Sequence, residues 1–138
     1  MAPLAEIIRR HGGRVFLPRL IDLRHHRMRF EEALGPMRRN RLGILEPDSG
    51  VLLAARSLDL VFVPLVGFDA AGMRLGMGAG YYDRAFAHRR VHRILRRPRL
   101  VGVGFAVQRV PTLAPAVHDV LLDAVVTEEG VITCRTGY

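Results

Sequence analysis

From Leu60 to Ala87 the chain reads Leu-Val-Phe-Val-Pro-Leu-Val-Gly-Phe-Asp-Ala-Ala-Gly-Met-Arg-Leu-Gly-Met-Gly-Ala-Gly-Tyr-Tyr-Asp-Arg-Ala-Phe-Ala. This is a succession of strand, glycine-rich loop and helix. Residues 60–63 form a short apolar run closed by Pro64, as in a buried strand that stops where proline withholds the next ladder bond. Five glycines follow, at 67, 72, 76, 78 and 80. Glycine accepts positive φ and lets a ligand approach the main chain, so the alternation at 76, 78 and 80 predicts an exposed row of N–H donors, an anion cradle. Tyr81-Tyr82-Asp83-Arg84 then opens a helical pattern whose N-terminal dipole adds to the attraction for phosphate. No Gly-Lys-Ser/Thr follows the glycines, so this is not a Walker loop. The spacing is not the dinucleotide fingerprint either. A tight structural turn is the alternative reading.

Composition bounds what surrounds this loop. A chain of 138 residues, 49% hydrophobic and 25% charged, is expected to fold as one soluble domain with a real core. Its single cysteine, Cys134, excludes an internal disulfide framework. No apolar run approaches the roughly 20 residues that span a bilayer, and no charged-then-apolar leader is visible, so a cytoplasmic location is expected. The net charge is +8, and all 21 basic residues are arginine. Codon bias accounts for that usage; attraction for polyanionic ligands or nucleic acid is the functional alternative.

Taken in order, residues 4–11 predict a short helix with Leu4, Ile7 and Ile8 on one face, stopped by Gly12-Gly13. Arg14 to Leu17 reads as a buried strand ended by Pro18. Asp22 to Arg41 is charge-rich. Its adjacent His25 and His26 point to different sides of a strand and have no suitably spaced third ligand, which argues against a metal site there. Val51 to Leu58 predicts a short element. Tyr81 to Arg97 predicts one helix ended by Pro98, with Tyr82, Phe86, Val91, Ile94 and Leu95 inward and Arg84, Arg89, Arg90, Arg93 and Arg96 on solvated faces. A basic nucleic-acid-binding helix is the competing account of those arginines. Leu100 to Phe105 is another buried strand. The fold expected is a three-layer α/β/α, Rossmann-like domain with a largely parallel sheet and the glycine loop at the carboxyl end of strand 60–63.

The string Phe68-Asp69, then Gly72-x-Arg74-Leu75-Gly76-x-Gly78-x-Gly80-Tyr81-Tyr82-Asp83-Arg84, resembles the signature of the 5-formyltetrahydrofolate cyclo-ligase family, the methenyltetrahydrofolate synthetases. Gly43-Ile44-Leu45-Glu46-Pro47 and the closing His118-Asp119, Leu122-Asp123 and Thr127-Glu128 resemble further parts of the family pattern. The resemblance implies a CoA-transferase-like α/β fold, with residues 1–138 as a single domain matching the last two-thirds of the family's length. On that reading the missing N-terminal third carries a basic residue for ATP and a glutamate for folate.

What the family does is, by implication, the ATP-dependent closure of 5-formyltetrahydrofolate to 5,10-methenyltetrahydrofolate. The γ-phosphoryl is placed on the formyl oxygen, N10 attacks the activated carbon, and phosphate departs. Such chemistry asks the protein for positioning and charge neutralisation. The resemblance implies that Arg74, Leu75, Gly76, Met77, Gly78, Ala79, Gly80, Tyr81 and Tyr82 line ATP. Met77 to Tyr81 also face the folate substrate, which some members take in polyglutamylated form. Arg74 and Tyr81 take the catalytic roles, and Asp83 and Asp119 hold Mg2+. Met28 and Phe30 either border the folate pocket or pack the core. Departures from the pattern are Met77 and Ala79, which replace charged or aromatic loop residues, and Ala116, where an acidic residue is common. The alternative to an enzyme is a non-catalytic remnant that keeps nucleotide or folate binding.

Overall fold

The computed structural model describes residues 2–48, 50–91 and 97–134. It divides into two compact units, residues 1–54 and 55–138. The chain is a mixed α/β protein. Among the described residues no helix is long and apolar enough to cross a membrane.

The first unit opens with α1 (Ala2–Arg10). Its solvent side is braced by an ion pair between Glu6 and Arg10, one turn apart. Ile7, expected on the inner face, is 52% exposed, while Leu4 and Ile8 are half-buried. Gly12, at φ 78°, stops the helix, and Gly13 donates its N–H to the Ile8 carbonyl at 2.9 Å. Strands β1 (Phe16–Asp22) and β2 (Arg27–Glu32) form a hairpin, and β5 (Leu52–Leu53) extends it on the β2 side. Pro18 lies inside β1 rather than ending it. This is tolerated because β1 is an edge strand, where one row of N–H groups has no ladder to complete. Along β2, Met28 and Phe30 are buried while Arg27 and Arg29 are exposed, the alternation of a half-buried strand. Met28 and Phe30 are therefore core residues. A second hairpin pairs β3 (Met37–Arg39), in the stretch that reads only as charge-rich, with β4 (Leu45–Pro47), in the Gly43–Pro47 stretch of the family pattern.

The second unit is built on a four-stranded sheet ordered β11-β10-β9-β6, comprising β6 (Leu60–Pro64), β9 (Arg99–Val103), β10 (Ala124–Thr127) and β11 (Gly130–Thr133). The pairs β6·β9 and β9·β10 are parallel, and β10·β11 is antiparallel. Elsewhere, among the described residues, the paired strands are antiparallel: short turns join β1 to β2, β3 to β4 and Gly67–Phe68 to Arg74–Leu75, while β5 returns to β2 after the β3–β4 hairpin. The expected largely parallel sheet is thus limited to three strands of this unit. Val63, Leu122 and Val125 are fully buried against it.

The helix expected over 81–97 is broken. It forms α2 (Tyr81–Ala85) and α3 (His88–Val91), and residues 92–96, with Arg93, Ile94, Leu95 and Arg96, lie outside the described residues. Between the two helices the main chain changes from i→i+4 bonds, such as Phe86 N–H to Tyr82, to i→i+3 bonds, such as Arg89 N–H to Phe86. Phe86 is fully buried, but Val91, expected inward, is 77% exposed. Arg89, expected in solvent, is buried: it donates to the Leu121 carbonyl at 2.9 Å and to Asp123 Oδ2 at 2.7 Å. Asp123 also accepts the Leu100 N–H at 2.7 Å, so one carboxylate ties α3 to β9 and to the entry of β10. Arg89 is thereby withdrawn from the surface, so among the described residues it does not contribute to the basic face expected of this segment.

Two stability effects follow. Replacing Asp123 by alanine strands a buried guanidinium and should lower the unfolding free energy by about 3 kcal/mol in urea titration. In the first unit, Arg14 grips Glu32 with both carboxylate oxygens, at 2.8 and 2.6 Å, and the hydrogen bond and charge of Arg14 hold that carboxyl below its ordinary 4.5. A depressed carboxyl stabilises the fold above its unfolded pKa and loses that contribution as pH falls through the folded value. Melts of Arg14→Gln beside the parent should therefore differ at neutral pH and converge as the pH is taken down through the lowered Glu32 value.

Candidate functional site

Beyond the carboxyl end of β6 the chain turns back through a two-strand hairpin, β7 (Gly67–Phe68) and β8 (Arg74–Leu75). Asp69 organises its tip. Only 3% exposed, its Oδ1 accepts the N–H groups of Ala71 and Met73, both at 3.0 Å, and its Oδ2 accepts Leu113 N–H at 2.9 Å. Short polar side chains that bond the main chain two residues on are turn formers, and Asp69-Ala70-Ala71-Gly72 is of that kind. At φ 91°, Gly72 needs the left-handed region, and a Cβ there would stand 2.5 Å from the Leu122 carbonyl oxygen. Its own carbonyl accepts Leu122 N–H at 2.9 Å. Fully buried Phe68 accepts Val110 N–H at 2.8 Å. The hairpin is therefore fastened on both sides before the ligand loop begins.

The loop itself, residues 76–80, is held from its ends. Gly78 and Gly80 have φ of 89° and 72°, and a Cβ at Gly78 would meet nothing within 4 Å. Among the described residues, the main-chain N–H groups of 76–80 donate to nothing, which leaves the expected donors available. The helix that follows is only five residues long, so the donors themselves, rather than a long helix dipole, would have to attract an anion. Met77 is 93% exposed and Leu75 53% exposed, and Arg84 closes the loop by donating to the Ala79 carbonyl at 3.0 Å.

Beneath the loop, Arg74 and Asp83 join β8 to α2. Nη2 of Arg74 lies 3.1 Å from Oδ2 of Asp83, with side-chain exposures of 8% and 22%. The guanidinium also sits over the ring of Tyr82, 5.6 Å from its centroid, and Tyr82 stacks on Phe86 at 6.4 Å. Burial pushes the Tyr82 phenol above its ordinary range, with the charge of Arg74 pulling the other way. Tyr82 is thus a neutral platform. Oδ1 of Asp83 accepts Val120 N–H at 3.1 Å, which brings the residue next to Asp119 against α2. Asp119 turns its own Oδ2 back on Ala116 N–H, at 2.8 Å. Of the residues singled out in sequence, the structure unites Arg74, Tyr82 and Asp83 directly and brings in Asp119 through its neighbour. Tyr81 is half-buried at the first turn of α2.

Mg2+ prefers hard oxygen ligands and commonly takes one or two carboxylates, with phosphates and water completing its shell. Asp83, and Asp119 one residue before the Val120 that Asp83 holds, are carboxylates of that kind; among the described residues no group of three possible ligands occurs. The free N–H groups and open space at Gly78 suit a phosphate chain. Sequence reasoning gave Asp69 no role beyond the family string, put Arg89 in solvent, and did not single out Gln108. Gln108 accepts Phe105 N–H at 2.7 Å and donates to the carbonyls of Leu65 and Val66 at 3.4 and 3.2 Å, linking the ends of β9 and β6. For Asp69 the signal was present in the Asp-x-x-Gly turn; for the other two the partners are distant in sequence.

Comparison with known proteins identifies the family of the chain. Residues 2–128 match the model of the 5-formyltetrahydrofolate cyclo-ligase family. The chain is 38% identical to the 5-formyltetrahydrofolate cyclo-ligase of Haemophilus influenzae over 112 residues, covering 78% of this chain and 58% of that protein. With the Escherichia coli protein of the same name it shares 36% identity over 135 residues, 91% of this chain and 69% of that one. The solved structure of Aquifex aeolicus 5,10-methenyltetrahydrofolate synthetase superposes with a TM-score of 0.77 at 28% identity, over 99% of this chain and 66% of that chain. The Mycoplasma pneumoniae synthetase, at 22% identity and a TM-score of 0.66, shares the fold.

The two glycines of positive φ differ in what surrounds them, and substitution should show it. Gly72→Ala meets backbone atoms as well as strain and should cost more than about 2 kcal/mol, whereas Gly78→Ala meets open space and should cost only about 1 kcal/mol. Urea unfolding of the two variants checks this, and equal costs would contradict the packing at Gly72.

Proposed function

Because the chain belongs to the 5-formyltetrahydrofolate cyclo-ligase family, we propose that it closes 5-formyltetrahydrofolate to 5,10-methenyltetrahydrofolate at the expense of ATP. The observation that carries this reading is the Arg74–Asp83 pair beneath a loop whose N–H groups are unengaged. The parallel strands support it, since ligands of open parallel sheets commonly bind beyond the carboxyl ends of the strands and the loop follows β6 there.

In this reading the N–H groups of Gly76 to Gly80 receive phosphate oxygens. Arg74, already desolvated and oriented by Tyr82, adds a planar pair of donors. Asp83 and Asp119 hold Mg2+, which when bound offsets charge on the phosphates. Met77 and Tyr81 border the folate. Tyr82, kept neutral by burial, adds no negative charge that would oppose the nucleotide. The chain positions and neutralises; none of these side chains has to form a covalent bond.

The test is the appearance of methenyltetrahydrofolate absorbance from 5-formyltetrahydrofolate, with and without ATP and Mg2+. Turnover should require both and should fall by about 100-fold in Arg74→Gln and in Asp83→Asn, the scale for removing one preorganised electrostatic group. Turnover in the parent that both variants retain would overturn the assignment of the site.

A further inference from the structure

The charges of the first unit are unevenly committed. Each of its described carboxylates has a partner. Glu6 pairs with Arg10, Glu31 with Arg19, Glu32 with Arg14, and Asp48 with Arg38 at 3.7 Å. Asp22 pairs with His25 and accepts the N–H groups of Arg24 and His25. Glu46, 2% exposed, accepts Leu20 N–H and the Asn40 amide, both at 2.8 Å. The guanidiniums of Arg24 and Arg41 have no hydrogen bond or ion pair among the described residues.

Those two arginines open on the same cleft. It measures about 610 Å³ and lies between the end of β1 with the turn after it and the β3–β4 hairpin. Arg38 and Arg39 line it too. Arg39 is turned to the Gly43 carbonyl at 2.8 Å, and the separation of Arg38 from Asp48 is long for a hydrogen bond. The hairpin that carries three of the four is rigidly set, because Asn40 Oδ1 accepts the N–H groups of Leu42 and Ile44 at 2.8 and 3.0 Å. Four arginines therefore line one concavity whose two carboxylates, Asp22 and Glu46, are already occupied. Like charges so gathered repel, and an anion that bridges them relieves the repulsion.

We propose that this cleft binds a multiply charged oxyanion longer than a single phosphate, a short run of phosphates or carboxylates, held by Arg24 and Arg41 with Arg38 and Arg39 in support. Guanidinium offers paired donors to either kind of oxyanion, and the volume is in the range of small-molecule sites. The site shares no residue with the glycine loop and does not depend on the reaction proposed above.

The experiment is an amide NMR titration of the intact chain with tripolyphosphate and, separately, with a tetraglutamate peptide, with orthophosphate as the singly phosphorylated control. At least one of the two longer probes should give saturable shifts at residues 20–24 and 38–41, bind more tightly than orthophosphate, and weaken as sodium chloride is raised. Which of them binds identifies phosphate or carboxylate as the preferred group. Arg24→Gln combined with Arg41→Gln should weaken binding at least about tenfold, while Arg24→Lys with Arg41→Lys keeps part of it. The same spectra report that the variants are folded. Absence of shifts at these residues with both longer probes, or equal binding by the glutamine variant, would overturn the proposal.

Discussion

A largely desolvated ion pair, Arg74 with Asp83, joins the two ends of a loop that has no side chains of its own to anchor it. Such a pair gains little net stability over apolar packing, because both charges give up water, yet removal of one partner costs on the order of 3 kcal/mol. The surroundings make the arrangement tolerable. Tyr82 gives Arg74 an aromatic face, and Val120 gives Asp83 a backbone donor. The turn at 116–120, the short helix α2 and the strand β8 are consequently fixed to one another through two side chains.

The same economy recurs through the second unit. Asp69 closes the hairpin tip with three main-chain bonds, Asp123 binds both a strand N–H and a buried arginine, and Gln108 spans the ends of two parallel strands. In each case one polar side chain satisfies backbone groups that a loop leaves open, which is how irregular segments avoid the cost of buried, unpaired donors. The rigid parts are thereby supplied by short-range turns and a few long-range polar anchors, and among the described residues the N–H groups at 76–80 are left unengaged.

How much of this could be read in the sequence depends on how local its cause is. The glycine loop was legible because positive φ at Gly78 and Gly80 is a property of those residues alone. So was the end of α1 at Gly12; for Met28 and Phe30 the sequence left pocket or core open, and the alternation along β2 puts them in the core. Pro18 misled because whether proline ends a strand depends on what lies beside it, and β1 turned out to be an edge. The single helix expected over 81–97 failed for a similar reason. Periodicity cannot separate a solvated arginine from Arg89, whose partner Asp123 is 34 residues away. The hairpin at 37–47 was hidden by charge, since its strands are too short to show a period. At the candidate site, Arg74, Tyr82 and Asp83 were found through a pattern of residues; the way Asp83 reaches Val120 was not, because it needs the fold.

The central claim is that Arg74, oriented by Asp83 and Tyr82, meets the phosphates of a nucleotide at the glycine loop. Calorimetric titration of ATP with Mg2+ into the parent chain and into Arg74→Gln, in the absence of folate, tests it apart from catalysis. The account predicts saturable binding by the parent and affinity lower by about tenfold or more in the variant, the scale of lost charge-assisted hydrogen bonds. Equal affinity in the two proteins would contradict it.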